Sequence, residues 1–388
     1  MTPILPLIAA ASLVTGPAGA APADRQVSPA RVIHTDAAEA AGQAASAGVV
    51  QHVAALTGAE QRRVLTYWTP RRMARALPGG LLGAVAKIGR LGSGALPLRV
   101  AGARPPGHGR PAAPSRPTPP SHPADPPRER PAGEGPPARG GAPGVPGAPS
   151  SSAAGARTPT VNTSAARWSA GGAVTRTTGR VFLTMRGVDY VCSAGAIRSR
   201  NMDVVLTAGH CVKDGKGAWA ENWTFVPGYE SGSRPYGVFT ARRMLVPEPW
   251  SRKGDDSSDL GMVAVNPSGD RHLGQIVGGQ EIGFGVRRGG RAFGFGFPAD
   301  PPYDGEHLIY CSGATHADPH GQTRDQGMRC DLTAGSSGGP WLSSFDPATG
   351  QGVVTSVSSF KYSDDAGTMY GPYFGDQARR LFEAAQRA

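Results

Sequence analysis

Thr333-Ala334-Gly335-Ser336-Ser337-Gly338-Gly339-Pro340 is the stretch on which the reading of this 388-residue chain turns. Ser337 stands among small residues, with Gly335 two positions before it and Gly338 and Gly339 directly after it. A nucleophilic serine needs such surroundings. Its hydroxyl must protrude from a tight turn, and neighbouring backbone N–H groups must point at the oxygen that becomes negative. Glycines allow φ > 0 in such a turn and let a substrate come close to the backbone.

A serine at neutral pH is a poor nucleophile and requires a base, together with a group that orients the base. The string G-x-S-x-G also fits the nucleophile elbow of α/β-hydrolases, in which the histidine follows the serine in the chain. The histidines here fall at 34, 52, 108, 122, 210, 272, 307, 316 and 320, all before Ser337, so that reading fails. Upstream, the apolar run Val204-Val205-Leu206 leads into Thr207-Ala208-Gly209-His210-Cys211. Further on, Ser257-Ser258-Asp259 precedes the apolar run Leu260–Val265. The blocks T-A-G-H-C, S-D-L-G-M-V and G-S-S-G-G-P, in that order, closely resemble the signatures of the chymotrypsin-type (trypsin-like) serine proteases. Three independent features agree, which is what a real resemblance requires.

The resemblance covers about residues 168–388. It implies an all-β fold of two six-stranded barrels with a C-terminal helix, and hydrolysis of peptide bonds through an acyl-enzyme. His210 then takes the proton from Ser337 and returns it to the leaving amine, while Asp259 orients the imidazole. The N–H groups of Gly335 and Ser337 form the oxyanion hole. Asp255 and Asp256 lie close by, but the apolar run after Asp259 carries that residue inward, as in the family. The resemblance also implies a Cys192–Cys211 bridge and leaves Cys311 with Cys330, although four cysteines allow three connectivities by sequence alone. Animal members place an acid before the nucleophile to capture a new N-terminus. Ser336 cannot, which points to activation by removal of a leader and to the bacterial, secreted, glutamyl-endopeptidase-like branch. Arg329-Cys330-Asp331-Leu332-Thr333 looks closer to that branch as well.

For substrate binding, Asp331 lies six residues before Ser337, where trypsin-like enzymes carry the acid that selects Arg or Lys. Thr333 lies in the same stretch. Thr355–Phe360 is expected to wall the specificity pocket, with Ser358 reaching Asp259 and Phe360 narrowing the space. No C-x-x-C or H-E-x-x-H spacing marks a metal site, and Pro319 argues against a helix presenting both His316 and His320. No cofactor or metal is expected.

Composition divides the rest of the chain. Met1–Ala20 reads as a secretion signal, with an apolar segment from Ile4 to Val14 and Ala18-Gly19-Ala20 as the cleavage pattern, although no Lys or Arg precedes the apolar run. No segment reaches the roughly 20 apolar residues of a membrane span. The signal and the four cysteines place the protein outside the cell. Residues 21–100 read as a weakly helical pro-region, with helices expected over Ala37–Leu56 and Ala59–Leu77. Residues 101–165 read as a disordered Pro/Ala/Gly-rich linker: 17 of the 37 prolines fall between 101 and 160, and from 104 to 150 the sole large aliphatic residue is Val145. The protease domain is expected over 166–388.

The net charge of +11 follows the same division, with 17 Lys and Arg against 7 Asp and Glu before residue 166 and 23 against 22 after it. The basic leader and linker can sit near an anionic cell-wall polymer, with a solvated tether as the plainer reading. No interleaving of aromatics with arginine suggests nucleic-acid binding. Peptide or protein substrates are the partners expected of a monomer. A catalytically silent protease-fold binding module and a wall-binding protein acting through its basic arm are the competing classes. The first normally lacks a triad member, and none is missing here.

From Trp168 onward, short β-type runs alternate with Gly, Pro, Asn and Asp: Arg180–Met185, Val188–Ile197, Asp203–Leu206, Asn222–Val226, Tyr236–Val246, Gly261–Val265, Gly290–Phe295, His307–Gly313, Gly339–Phe345, Gly352–Phe360 and Met369–Phe374. Asp376–Gln386 closes the chain as a helix with Ala378, Leu381, Phe382 and Ala385 on one face.

Overall fold

The computed structural model describes residues 48–80 and 162–388. The segment read as a secretion signal, the start of the first expected helix and nearly all of the expected linker lie outside the described residues. The described leader begins with β1 (Val49–Val53), continues through α1 (Gly58–Tyr67) and α2 (Pro70–Met73), and ends at β2 (Leu77–Pro78). Thr57 and Glu60 form a reciprocal capping box at the start of α1. The helix stops before Thr69-Pro70, because the residue ahead of a proline is driven away from helical angles. Helix expected over Ala37–Leu56 gives way to strand at Val49. The β-branched Val49, Val50 and Val53 find a free strand edge to pair with, and tertiary pairing overrides the propensity of the Ala-rich run.

Alternation along the next strands sorts their side chains into two cores. In β4 (Thr178–Met185), Val181, Leu183 and Met185 enter one cluster and Phe182 enters another. In β5 (Val188–Ile197), Cys192, Ala194 and Ala196 join the first cluster and Val191 the second. β6 (Val204–Thr207) and β9 (Gly261–Val265) divide in the same way, as do β7 (Glu221–Pro227) and β8 (Phe239–Pro247). The six strands pair antiparallel in the order β4-β5-β6-β9-β8-β7, and β7 returns to β4, so the barrel closes. The first cluster is the barrel interior. The second lies between the barrel's outer face, the leader, the second half of the molecule and α3 (Asp376–Ala385), which buries Ala378, Leu381 and Ala385 there.

Where the resemblance implies a second closed barrel, the C-terminal half pairs as two sheets. One joins β10 (Glu281–Ile282), β16 (Gln351–Val357), β15 (Pro340–Asp346), β11 (Arg291–Gly296), β12 (Ile309–Ala314) and β3 (Asn162–Arg167) in that order. The other joins β13 (His316–Ala317), β14 (Gln326–Arg329), β18 (Asp365–Gly371) and β17 (Phe360–Tyr362). Register shifts between β15 and β16 bend the first sheet, and such bulges raise the local twist. Ser358–Ser359 then carries the chain across to the second sheet, where the Ser359 N–H donates to the Tyr370 carbonyl. β3 begins at Asn162, inside the stretch read as linker. Its residues lack an apolar pattern, and it forms by adding to the edge of β12. Both disulfides expected from the resemblance are formed, Cys192–Cys211 and Cys311–Cys330. Among the described residues, no helix is long and apolar enough to cross a membrane.

Candidate active site

β6 ends in a single 3-10 turn, Gly209–Cys211, and that turn presents His210. Gly209 is required there: a Cβ would lie 2.9 Å from Asp259 Oδ1 and 3.0 Å from the Trp250 ring. Asp259 follows another 3-10 turn, Asp256–Ser258, and leads into β9, which pairs with β6. The pairing brings the two residues together. His210 donates its backbone N–H to Asp259 Oδ1 at 2.7 Å, and Nδ1 lies 2.8 Å from Oδ2. Asp259 is buried, and Ser359 Oγ donates to Oδ2 at 2.5 Å.

Electrostatics at this pair run in opposite directions for the two partners. Burial alone would lower the His210 pKa, but the adjacent Asp259 carboxylate and its hydrogen bond more than compensate, and the imidazole is held above its ordinary value. Burial alone would raise the Asp259 pKa, yet His210 and the hydrogen bonds from His210 and Ser359 hold the carboxyl below its ordinary value. With Nδ1 on the carboxylate, Nε2 is the nitrogen left to accept a proton. It is buried and has no hydrogen-bond partner among the described residues.

The Thr333–Pro340 loop brings Ser337 from the other half of the molecule. Gly335 has φ +95°, and a Cβ would lie 2.8 Å from the Phe297 carbonyl. Gly338 has φ +81°, and a Cβ would lie 2.0 Å from Thr207 Oγ1. Both positions demand glycine. Ser193 of β5 fastens the loop: its N–H donates to the Ser337 carbonyl at 2.8 Å, and its hydroxyl donates to the Gly335 carbonyl at 2.9 Å. The N–H groups of Gly335 and Ser337 donate to no acceptor among the described residues. Ser336 turns inward and donates to the Thr333 carbonyl at 2.6 Å, so the loop is braced without an acid at that position.

His210, Asp259 and Ser337 share one cleft of about 670 Å³, which also receives Asp331, Thr333, Phe360 and Lys361. Four placements sharpen or alter the sequence reading. Ser359, not Ser358, reaches Asp259; Ser358 Oγ instead accepts from the Trp341 indole at 3.0 Å. The offset arises because β16 ends at Val357 and the chain changes sheets over the next two residues, and the adjacent serines in Ser358-Ser359 concealed it. Asp331 is exposed at the border of the cleft, and its Oδ1 accepts from the Ala165 N–H of β3 at 2.6 Å. Thr333 donates to the Asp300 carbonyl. Sequence reasoning missed Ser193 altogether, since a serine on a strand carries no mark of what it will bond.

His316 lies in β13 and bonds the Ala317 carbonyl, whereas His320 packs its ring on Tyr362 at 4.1 Å, so the two are engaged separately. Cys192, His210 and Cys211 have ligand atoms within 4.8 Å of one another, but the two sulfurs are bonded to each other in the disulfide.

Among solved structures, the chain is similar to the protease Anisep from Arthrobacter nicotinovorans, with 37% identity over 55% of this chain and 96% of that one and a TM-score of 0.53. It is also similar to the thermostable serine protease AL20 from an extremophilic microorganism, with 34% identity over 56% of this chain and 99% of that one and a TM-score of 0.53. Among curated proteins, 68 residues are 34% identical to an extracellular metalloprotease of Bacillus subtilis strain 168, and the match spans 22% of that relative's length. No family model matches the chain.

Proposed function

The chain belongs to the chymotrypsin-fold serine proteases, and on that premise we propose that it is a secreted serine endopeptidase working through His210, Asp259 and Ser337. The observation that carries the reading is the buried Asp259–His210 pair, with Ser359 on the carboxylate, opening onto the same cleft as Ser337 and its two uncommitted N–H groups. His210 Nε2 takes the Ser337 proton as the hydroxyl attacks the carbonyl carbon of the scissile bond. The resulting oxyanion is received by the N–H groups of Gly335 and Ser337, an arrangement worth about 3–4 kcal/mol per lost donor in comparable sites. The imidazolium, stabilised by Asp259, passes the proton to the leaving amine. Water then repeats the cycle on the acyl-enzyme. The recess bordered by Thr333, Phe360 and Lys361 takes the side chain of the residue being acylated. In this reading residues 162–388 are the catalytic part, and the leader before them is removed.

The test is labelling with a fluorophosphonate, followed by peptide mapping. The reading predicts a single modified residue, Ser337, and no labelling in His210→Ala. Stable labelling elsewhere, or none in a chain freed of its leader, contradicts it.

A further inference from the structure

The described part of the leader does more than cover the barrel. It is fastened at three separate places. β1 extends the free edge of β8, antiparallel from Val49 opposite Pro247 to Val53 opposite Arg243, and Asn266 Nδ2 holds the Ala55 carbonyl at 2.8 Å. Trp68, 2% exposed, packs on Phe182 with ring centroids 5.5 Å apart and donates its indole N–H to the Asn222 carbonyl. Asp189 accepts from the Tyr67 hydroxyl at 2.7 Å and pairs with Arg72 at 3.1 Å.

From these anchors the chain is led to the cleft. β2 pairs in parallel with β5, Leu77 opposite Tyr190 and Pro78 opposite Val191, and the Gly79 N–H donates to the Val191 carbonyl at 2.8 Å. Gly79 then lies on the Cys192–Cys211 bridge, where a Cβ would be 2.7 Å from Cys192 Sγ. Gly80 lies against Ala334, with room for no Cβ (2.7 Å), and borders the cleft that holds His210 and Ser337. Two successive glycines are thus what the space beside the nucleophile accepts.

The direction of this chain matters. Ser337 stands between β5, whose Ser193 N–H holds its carbonyl, and the Ser358–Ser359 segment, whose Ser358 carbonyl accepts from the Gly338 N–H. The recess for the acylated residue, with Phe360 and Lys361, is on the Ser358 side. A substrate therefore runs from the Ser358 side towards β5, placing its leaving half along β5. The leader runs the other way, from β5 towards Ala334. Its direction along β5, parallel to that strand, is therefore opposite to that of a substrate's leaving half.

Resting on the peptidase reading above, we propose that residues 48–80 are an inhibitory module that remains bound after the linker is cut and holds the leaving-group side of the cleft with a chain of polarity opposite to a substrate. Cleavage in the linker alone then leaves the enzyme blocked. Activity appears when the module dissociates or is digested.

The experiment uses the full chain with a recognition site for an unrelated protease placed between 104 and 150. In the Ser337→Ala background, the cut chain is run on size-exclusion chromatography, and the fragment containing 48–80 is expected to co-elute one-to-one with the catalytic part. In the Ser337 background, the cut chain is assayed on a chromogenic peptide beside Trp68→Ala and Gly80→Val. Each of these is expected to be more active by about tenfold or more, since each removes a docking contact by a different route. Mass spectrometry of the bound fragment should find the bonds from Leu77 to Gly80 intact. Loss of the fragment on cutting the Ser337→Ala chain overturns the proposal, as does hydrolysis within Leu77–Gly80. A bound fragment with equal activity in all three chains overturns the inhibition alone. Inactivity of every chain while the fragment stays bound overturns the peptidase reading, and the inhibition with it.

Discussion

In the proposed mechanism, the two halves of the protease fold hold different pieces of the chemistry, and they hold them by different means. The first half is a closed barrel, and His210 and Asp259 follow and precede two strands that pair directly, β6 and β9. The proposed base and orienting acid are thereby fixed within one hydrogen-bonded unit. The second half is two sheets joined by the Cys311–Cys330 bridge and the Ser358–Ser359 crossing, and Ser337 sits on a loop at its margin. That loop is held from across the boundary, by Ser193 of β5 and by the contact of Gly338 with Thr207. Alignment of the proposed nucleophile with its base is therefore decided at the boundary between the halves, and mutations there should cost activity without costing the fold.

The sharpest break is removal of a reacting group from either half. Ser337→Ala and His210→Ala should each lower kcat by a factor on the order of 10⁶, because the members act as a unit. Circular dichroism should remain native, and retained hydrolysis in either folded variant would sink the assignment. Gly338→Ala attacks the boundary itself, since a Cβ at φ +81° would lie 2.0 Å from Thr207 Oγ1. Displacing the loop by about 1 Å should reduce kcat about 10²-fold. A variant of unchanged kcat would show that the boundary does not set the alignment.

A third prediction concerns charge across the boundary. Asp325, beside β14, is buried with neither oxygen bonded among the described residues. Burial first, then the Asp259 and Asp256 charges, push its carboxyl up to about 8. The folded state thus binds the proton more tightly than the unfolded chain, so this residue costs stability increasingly as pH rises from about 4 to 8. Asp325→Asn should be more stable than the native chain by a few kcal/mol at pH 8. The advantage should vanish near pH 4. Melting curves at both pH values check this, and a pH-independent difference would argue against a retained proton. The smallest effect is expected at Asp331. With its carboxylate on Ala165, Asp331→Asn should change kcat/KM for an arginyl substrate by less than about threefold, whereas loss of a pocket carboxylate costs about 2 kcal/mol or more. A drop of that larger size would make Asp331 a determinant of specificity.

Sequence made the barrel half more legible than the sheet half. Thr207-Ala208-Gly209-His210-Cys211 and Ser257-Ser258-Asp259 are legible locally, because the first closes and the second opens a strongly apolar strand. Val188–Ile197 and Gly261–Val265 have the bounds that alternation and β-branching imply. In the other half, the difference between Ser358 and Ser359 depends on where a strand ends and a bend begins, which neighbouring identical residues do not reveal. The orientation of Asp331 depends on β3, whose Asn162-Thr163-Ser164-Ala165-Ala166-Arg167 has no strand pattern of its own. β1 and β2 were hidden for the same reason: an edge strand is made by the surface that receives it.

The central claim is that the buried His210, held by Asp259, is the base for Ser337, and the pH dependence of kcat/KM tests it most directly. Because the folded His210 is held above the ordinary imidazole value, the base is neutral only once pH passes that raised value. Activity of the leader-free enzyme should rise along a single limb with an apparent pKa above about 6.5. Asp259→Asn should retain only weak activity and shift that limb downward. A profile flat from pH 5 to 8, or a limb that Asp259→Asn leaves in place, would contradict the account.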